Sequence, residues 1–347
     1  MITHVLLVLV AVAIVLALVG MVYQAIGEAR DRQRFPAPGR LVDCGDRRWH
    51  LVDSGCGQPA VVFESGVSAS CLNWTEVRER VSQFTRACAY DRAWLGWSDP
   101  ADSPRTASRI VQELRALLVA QQIPRPYILV GHSFGGLVVS MYAAKHPDEV
   151  AGIVLVDPLP ATEWLSPSKA KSKVLRRGVR LARRGAWLAR IGVVRFALSL
   201  LIGGGRRVPQ AIARLTSSGS GQSLISRLVG EVGKMPRAVW PMIQAQWCLP
   251  KSFEGLAAAL EALPASSAEA VGLALPQSIP VTILSAATST PAQVDERAKL
   301  VERSVHGRHI FARESGHWIH LDQPDLVIEA IREMIASGSK FTVRSQR

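Results

Sequence analysis

Residues 5–22 contain no polar position: 18 consecutive residues are apolar or Gly. That is about the length needed to cross a hydrocarbon core. It predicts a transmembrane helix within residues 1–27, followed by a Pro- and Gly-containing linker over 28–39. A cleaved secretory leader is the competing reading, with Ala25-Ile26-Gly27 as a small-x-small cleavage site. Against it, no Lys or Arg precedes the run, and the run exceeds the ~7–15 residues of a leader's apolar region. Arg30, Arg32 and Arg34 follow the run, whereas only His4 and the amino terminus precede it. The positive-inside rule therefore places the rest of the chain in the cytoplasm as a single-pass protein; cleavage would make it secreted.

Beyond the linker, short apolar runs alternate with longer amphipathic ones. Residues 40–54 alternate about Gly45-Asp46, the pattern of a β-hairpin. Residues 60–64, 87–90, 127–130, 151–156 and 280–284 read as buried strands. Residues 107–122 have helical spacing through Ile110, Leu114, Leu117 and Leu118, and Pro124 and Pro126 stop the helix. Residues 137–145 and 324–334 predict two more helices. Strands apolar on both faces, alternating with helices, imply an α/β fold: a mainly parallel sheet covered by helices on both sides. No period of 20–50 residues is present, which excludes repeat architectures.

Composition adds one asymmetry. The chain of 347 residues is 48% hydrophobic and 20% charged, as a globular core requires, and carries a net +13. Residues 164–230 hold 14 Lys and Arg and no Asp or Glu, which leaves the remainder at −1. The basicity belongs to one segment, not to a whole surface as in nucleic-acid binding, so no nucleic acid is expected as a partner. The five Cys are an odd number in a chain expected to face a reducing compartment, and Cys44 and Cys56 straddle the hairpin out of register. All five read as thiols acting as small buried hydrophobes.

The chemistry centres on Gly131-His132-Ser133-Phe134-Gly135, a G-x-S-x-G between a predicted strand and a predicted helix. This is the context of a nucleophile elbow, in which a strained turn lifts the serine hydroxyl above the sheet. The Phe134 N–H then sits at a helix N-terminus, where it can stabilise an oxyanion. Together with Tyr90-Asp91-Arg92 through Gly96-Trp97-Ser98-Asp99, and Gly316-His317-Trp318 with Gln323-Pro324, these motifs resemble the α/β-hydrolase fold superfamily over residues 40–158 and 278–334. Trp94 stands where that family often has Gly.

The resemblance implies a serine hydrolase with its base on a loop after the last strand. His317 fits that place, and Gly316 lets the backbone turn it toward the elbow; His320 is the competitor. The acid most often follows the strand at 281–284, but residues 285–290 contain no carboxylate. Some members resemble this chain in carrying the acid one strand earlier, which points to Asp157, 24 residues after Ser133. Asp295 is the alternative acid. The loop after the third strand, Glu64 to Ser68, implies Val67 as the second oxyanion donor, with Ser65 replacing the family's usual His and Glu64 in an ion-paired structural role.

Residues 159–275 fall where the family inserts a cap, dividing the core into 40–158 and 276–338. At about 100° per residue, Arg176, Arg177, Arg180, Arg183 and Arg184 share an arc of about 120°, opposite Val174, Leu175, Val179, Leu181 and Ala182, with Gly185 as a possible break. A basic amphipathic helix beside the apolar 186–202 stretch reads either as an interfacial element on anionic lipid or as a cap helix with a solvated Arg face. Aminopeptidases of the fold hold the substrate ammonium with cap carboxylates; residues 164–230 have none, and Glu231, Glu254 and Glu261 are the remaining candidates. A small-molecule ester or acyl-chain substrate fits better. Dehalogenases and epoxide hydrolases of this architecture attack with Asp, and Ser133 speaks against both. No metal or cofactor is implied: HExxH, CxxC and GxGxxG are all absent. The expected activity is carboxylic ester hydrolysis; an acyltransferase, a peptidase or a non-catalytic lipid-binding protein are the alternatives.

Overall fold

A computed structural model of the chain describes residues 1–45, 47–102, 104–203 and 232–344. Eight strands form one sheet: β1 (Arg40–Asp43), β2 (Arg48–Ser54), β3 (Ala60–Glu64), β4 (Ala87–Tyr90), β5 (Tyr127–His132), β6 (Val150–Val156), β7 (Val281–Ala286) and β8 (Gly307–Ala312). Their order is β1-β2-β4-β3-β5-β6-β7-β8. The first two pairings, β1 with β2 and β2 with β4, are antiparallel, and the rest are parallel. The hairpin forms as its alternation predicts, though its turn residue Asp46 lies outside the described residues.

Twelve α-helices are described: α1 (Ile2–Arg34), α2 (Thr75–Val81), α3 (Ala107–Ala120), α4 (Phe134–Lys145), α5 (Ala161–Leu165), α6 (Lys169–Arg190), α7 (Val193–Gly203), α8 (Trp240–Trp247), α9 (Pro250–Val271), α10 (Pro291–Glu302), α11 (Ile319–Asp322) and α12 (Pro324–Arg344). Alternate residues of the parallel strands face two cores. Val62, Leu129, Ile153 and Ile283 pack with α3 and α4 on one side. Val61, Phe63, Val130 and Val154 pack with α2 and α12 on the other. A period-2 strand buried on both faces is what makes the runs apolar throughout.

The segment expected as a linker is mostly helix. α1 continues unbroken to Arg34, because Gln24, Gly27 and Asp31 are held against the cap. The cap helix α6 is likewise continuous through Gly185, whose missing side chain admits the Phe253 ring; a Cβ there would lie 2.5 Å from it. Its buried stripe against α9 is Val179, Ala182, Ala186 and Ala189. Val174 and Leu181, expected on the packed face, are exposed instead. The buried face is narrow and alanine-rich because α6 and α9 approach closely. Among the cysteines, Cys71, Cys88 and Cys248 are buried, whereas Cys44 is only half-buried and Cys56 is exposed, the latter on the loop between β2 and β3.

Candidate active site

The site gathers at the C-terminal edge of the parallel strands, where open α/β sheets present loops. Ser133 follows β5 and Asp157 follows β6, and the ladder continues past both strands: Ser133 N–H donates to Val156 O at 3.0 Å and Asp157 N–H to Leu284 O at 2.8 Å. Both residues adopt left-handed backbone, φ +54° and +43°, a conformation that costs a non-glycine residue of order 1 kcal/mol or more and concentrates at functional sites. The glycines around Ser133 answer to close backbone approach. A Cβ on Gly131 would lie 2.5 Å from Gly135 O, and one on Gly135 would lie 2.5 Å from Glu64 O. Only the G-x-S-x-G pattern lets strand, turn and helix pack this tightly.

His317 follows β8. Its Nδ1 lies 2.6 Å from Asp157 Oδ2. His132 Nε2 donates to the His317 carbonyl at 2.9 Å, and the two rings are 4.6 Å apart, so the His317 segment is seated on the elbow. Ser133 and His317 share this edge without a mutual hydrogen bond among the described residues, the looser spacing common before a substrate seats. The His317 side chain is 45% exposed, open to a reacting molecule.

The structure thus brings Ser133, His317 and Asp157 together, and separates Asp295, which is exposed on α10. The loop after β7, where a carboxylate is missing, supplies donors to Asp157: Ala286 N–H and Ser289 Oγ each lie 3.1 Å from Oδ1. Arg297 of α10 completes the set, with Nη1 at 2.8 Å from Oδ1 and Nη2 at 2.9 Å from Pro158 O. Burial alone would raise the Asp157 carboxyl. The His317 hydrogen bond and the Arg297 charge outweigh it and hold the group below the ordinary carboxylate range. Asp157 is therefore an anion at neutral pH, accepting from Nδ1–H and leaving Nε2 as the basic nitrogen. Sequence reasoning missed Arg297, which looks like any solvated charge on an amphipathic helix. The one available signal was the hydroxyl-rich stretch Ser285-Ala286-Ala287-Thr288-Ser289-Thr290 in place of an acid.

Phe134 opens α4 immediately after Ser133, and its N–H and that of Val67 have no protein acceptor among the described residues. The loop carrying Val67 passes close to Ser133: a Cβ on Gly66 would lie 3.8 Å from Ser133 Cβ. Its carbonyls are drawn inward by Arg92, which donates to Ser65 O at 3.1 Å and to Gly66 O. Arg92 is in turn 3.4 Å from buried Glu64, which also accepts from Tyr90. Trp94, in the family's Gly position, keeps the left-handed turn at φ +74°.

His320 is buried and stacked on Trp74 at 4.4 Å, and neither ring nitrogen finds a partner. Burial, then the neighbouring His317, pushes it down to about 3. Burial likewise holds His132 well below the ordinary histidine value. Both stay neutral while the unfolded chain would protonate near pH 6.5, so the unfolded state binds more protons below that pH and stability falls on acidification. From pH 6.5 toward about 3, His320 should cost roughly tenfold in the folding equilibrium per pH unit. Urea midpoints of His320→Phe should therefore depend less steeply on pH than those of the wild type; an unchanged slope would mean His320 is charged in the fold.

One other cluster has metal-ligand residue types. His50, Cys71 and Asp91 place their ligand atoms within 4.8 Å of one another. Asp91, however, already accepts from Cys71 N–H at 2.8 Å, Trp97 N–H at 3.1 Å and His50 Nδ1 at 2.7 Å, and His50 Nε2 meets Pro38 O. Burial pushes the Cys71 thiol well up. With its donors and acceptors spent, the cluster braces the hairpin against the 91–98 loop and does not fit a metal.

Two cavities adjoin the cap. A small one of about 90 Å³ lies beside the His317 loop, walled by Ser68, Met235, Ile243, Trp247 and Trp318. A larger cleft of about 720 Å³ between α4, α9 and α10 borders neither Ser133 nor His317. Of the cap carboxylates, Glu163 pairs with Lys171, Glu254 pairs with Arg190, Glu261 lies 2.6 Å from Arg183 and Glu269 accepts from Ser108 N–H at 3.0 Å, while Glu231 is outside the described residues, as are Arg206, Arg207, Arg214 and Arg227.

Comparison with known proteins agrees with this geometry. The chain is 26% identical to an uncharacterized protein of Schizosaccharomyces pombe over 76% of its own length and 44% of the other. It spans less than half the length of the curated relatives it matches. The fold is shared with a thermophilic esterase of Thermogutta terrifontis (18% identity, TM-score 0.57, 86% of this chain and 97% of that one). It is also shared with an epoxide hydrolase candidate of Pseudomonas aeruginosa (15% identity, TM-score 0.63, 88% and 98%). The model of the alpha/beta hydrolase family matches residues 61–330, and with the elbow, sheet order and loop placement it shows that the chain belongs to the alpha/beta hydrolase family.

Proposed function

We propose that this chain is a membrane-anchored serine hydrolase acting on carboxylic esters. The observation that carries the reading is the 2.6 Å contact between His317 Nδ1 and Asp157 Oδ2 beside a serine held at φ +54°. Ser133 Oγ attacks the acyl carbonyl carbon as His317 Nε2 takes its proton. The tetrahedral oxyanion is held by the Phe134 and Val67 N–H groups. Collapse expels the alcohol, which takes the proton from His317, and a water activated by the same imidazole then releases the acid. Asp157 holds the imidazole in the required tautomer, and Arg297 with the 285–289 loop holds Asp157.

The substrate class follows from the cap. Its described carboxylates are all engaged, Glu163, Glu254 and Glu261 by Lys171, Arg190 and Arg183 of α6 and Glu269 by the Ser108 N–H, which favours a neutral or anionic ester with an acyl chain over a cationic peptide end. Anchoring rests on α1, a helix long and apolar enough to cross a membrane, with the basic face of α6 turned to anionic lipid and Arg30, Arg32 and Arg34 on the cytoplasmic side. The full chain in detergent micelles should hydrolyse p-nitrophenyl esters, with a preference along the series from acetate to palmitate that defines the acyl length. A folded preparation that turns over no member of the series speaks against ester hydrolysis.

A further inference from the structure

We propose that α7 is a second membrane contact, lying in the boundary between head groups and acyl chains of the bilayer that α1 crosses, with its apolar face turned inward. The proposal rests on reading α1 as a span. Residues 2–19 of α1 pack on nothing else in the described chain, and all but one of them are exposed. At 1.5 Å per residue, these 18 residues measure about 27 Å, close to the ~30 Å of a hydrocarbon core. The membrane boundary then falls at Gly20.

Gly20 is also where α1 first meets the cap. A Cβ on Gly20 would lie 2.1 Å from Ile191 O, and one on Gly192 would lie 2.5 Å from Gly20 O, so two glycines let the α6–α7 corner touch the α1 backbone. From that level toward Arg34, α1 is tied to protein. Gln24 donates to Cys248 O at 3.0 Å, and Arg195 of α7 reaches Gln24 Oε1 at 3.0 Å and Asp31 Oδ2 at 2.6 Å. The Arg195 side of α7 therefore points along α1 away from the free segment.

Val193, Phe196 and Leu200 sit about 130° round the helix from Arg195, on the side away from its partners Gln24 and Asp31. They are 44%, 57% and 42% exposed, and Trp187 in the last turn of α6 is 58% exposed at the same corner. Three apolar side chains and a Trp at the calculated boundary, continuous with an apolar span and flanked by the exposed arginines of α6, match an interfacial helix on anionic lipid. Trp247 in the wall of the small cavity directly precedes Cys248, whose carbonyl is held by Gln24 about 6 Å along α1 from Gly20, so this docking would set that cavity near head-group level.

The test uses the full chain in vesicles of phosphatidylcholine and phosphatidylglycerol, in a Cys44→Ser, Cys56→Ser background. An environment-sensitive fluorophore is placed singly by Val12→Cys, Phe196→Cys or Val305→Cys, the last as an aqueous reference on the core. The expected result is quenching of the label at 12 by deep lipid-borne quenchers, quenching at 196 by shallow ones, and quenching at 305 only by aqueous iodide. Iodide quenching at 196 with the label at 12 in lipid overturns the proposal and leaves the span intact. Protection at 196 from both quenchers means that a second copy or another segment covers α7, and this also overturns it. An aqueous label at 12 refutes the span reading itself.

Discussion

Asp157→Asn should lower kcat by about 10⁴-fold, while Asp295→Asn leaves it near the wild-type value. The size of the effect follows from the donors around the carboxylate. Ala286 N–H, Ser289 Oγ and Arg297 Nη1 all point at Oδ1, so the amide oxygen of Asn must occupy that position and its NH₂ the other. The NH₂ then faces His317 Nδ1, which must become an acceptor, and the proton moves to Nε2. An imidazole protonated there cannot take the serine proton, and in a Ser-His-Asp hydrolase the corresponding wrong tautomer costs about 10⁴ in kcat. Asp295 makes no such contact and is exposed. Steady-state kinetics on a p-nitrophenyl ester, with thermal unfolding to show that both variants fold, decide the matter. If Asp295→Asn abolishes turnover and Asp157→Asn does not, the acid is misassigned.

Ser133→Ala should be the most damaging single change, lowering kcat about a millionfold, in line with the loss of the nucleophile from a triad acting as a unit. The variant keeps the left-handed turn with the same Cβ and loses no hydrogen bond that holds the elbow, because Ser133 is tied through its backbone N–H and carbonyl. Its stability should therefore stay close to wild type and KM should change little, which separates loss of chemistry from loss of fold. A variant with residual turnover within tenfold of wild type would mean that another group attacks the substrate.

Much of the core was legible because its signals are local. The strands β3 to β7 are buried on both faces, so each is an apolar run that ends in turn residues, and the elbow combines a strand, a helix and two sterically required glycines. β8 was not legible: Gly307-Arg308-His309-Ile310-Phe311-Ala312 lies at the sheet edge, where one face is solvated and the apolar pattern dilutes. Arg297 was invisible for a different reason. Its burial follows from the meeting of α10 with the Asp157 loop, 140 residues apart in sequence, and helical periodicity carries no information about such a meeting. α6 misled in a third way, because periodicity locates an apolar flank without saying what it faces. Alanines took the contact with α9, and Val174 and Leu181 were left to solvent or lipid.

The central claim is that Ser133 is a nucleophile activated by His317. Treating the full-length protein with a fluorophosphonate and mapping the adduct by peptide mass spectrometry tests it most directly, since these reagents trap an activated serine irrespective of the natural substrate. Stoichiometric modification of Ser133 is the expected result, lost in Ser133→Ala and strongly slowed in His317→Ala. A folded wild-type protein that stays unlabelled, or one labelled elsewhere with Ser133 unmodified, would contradict it.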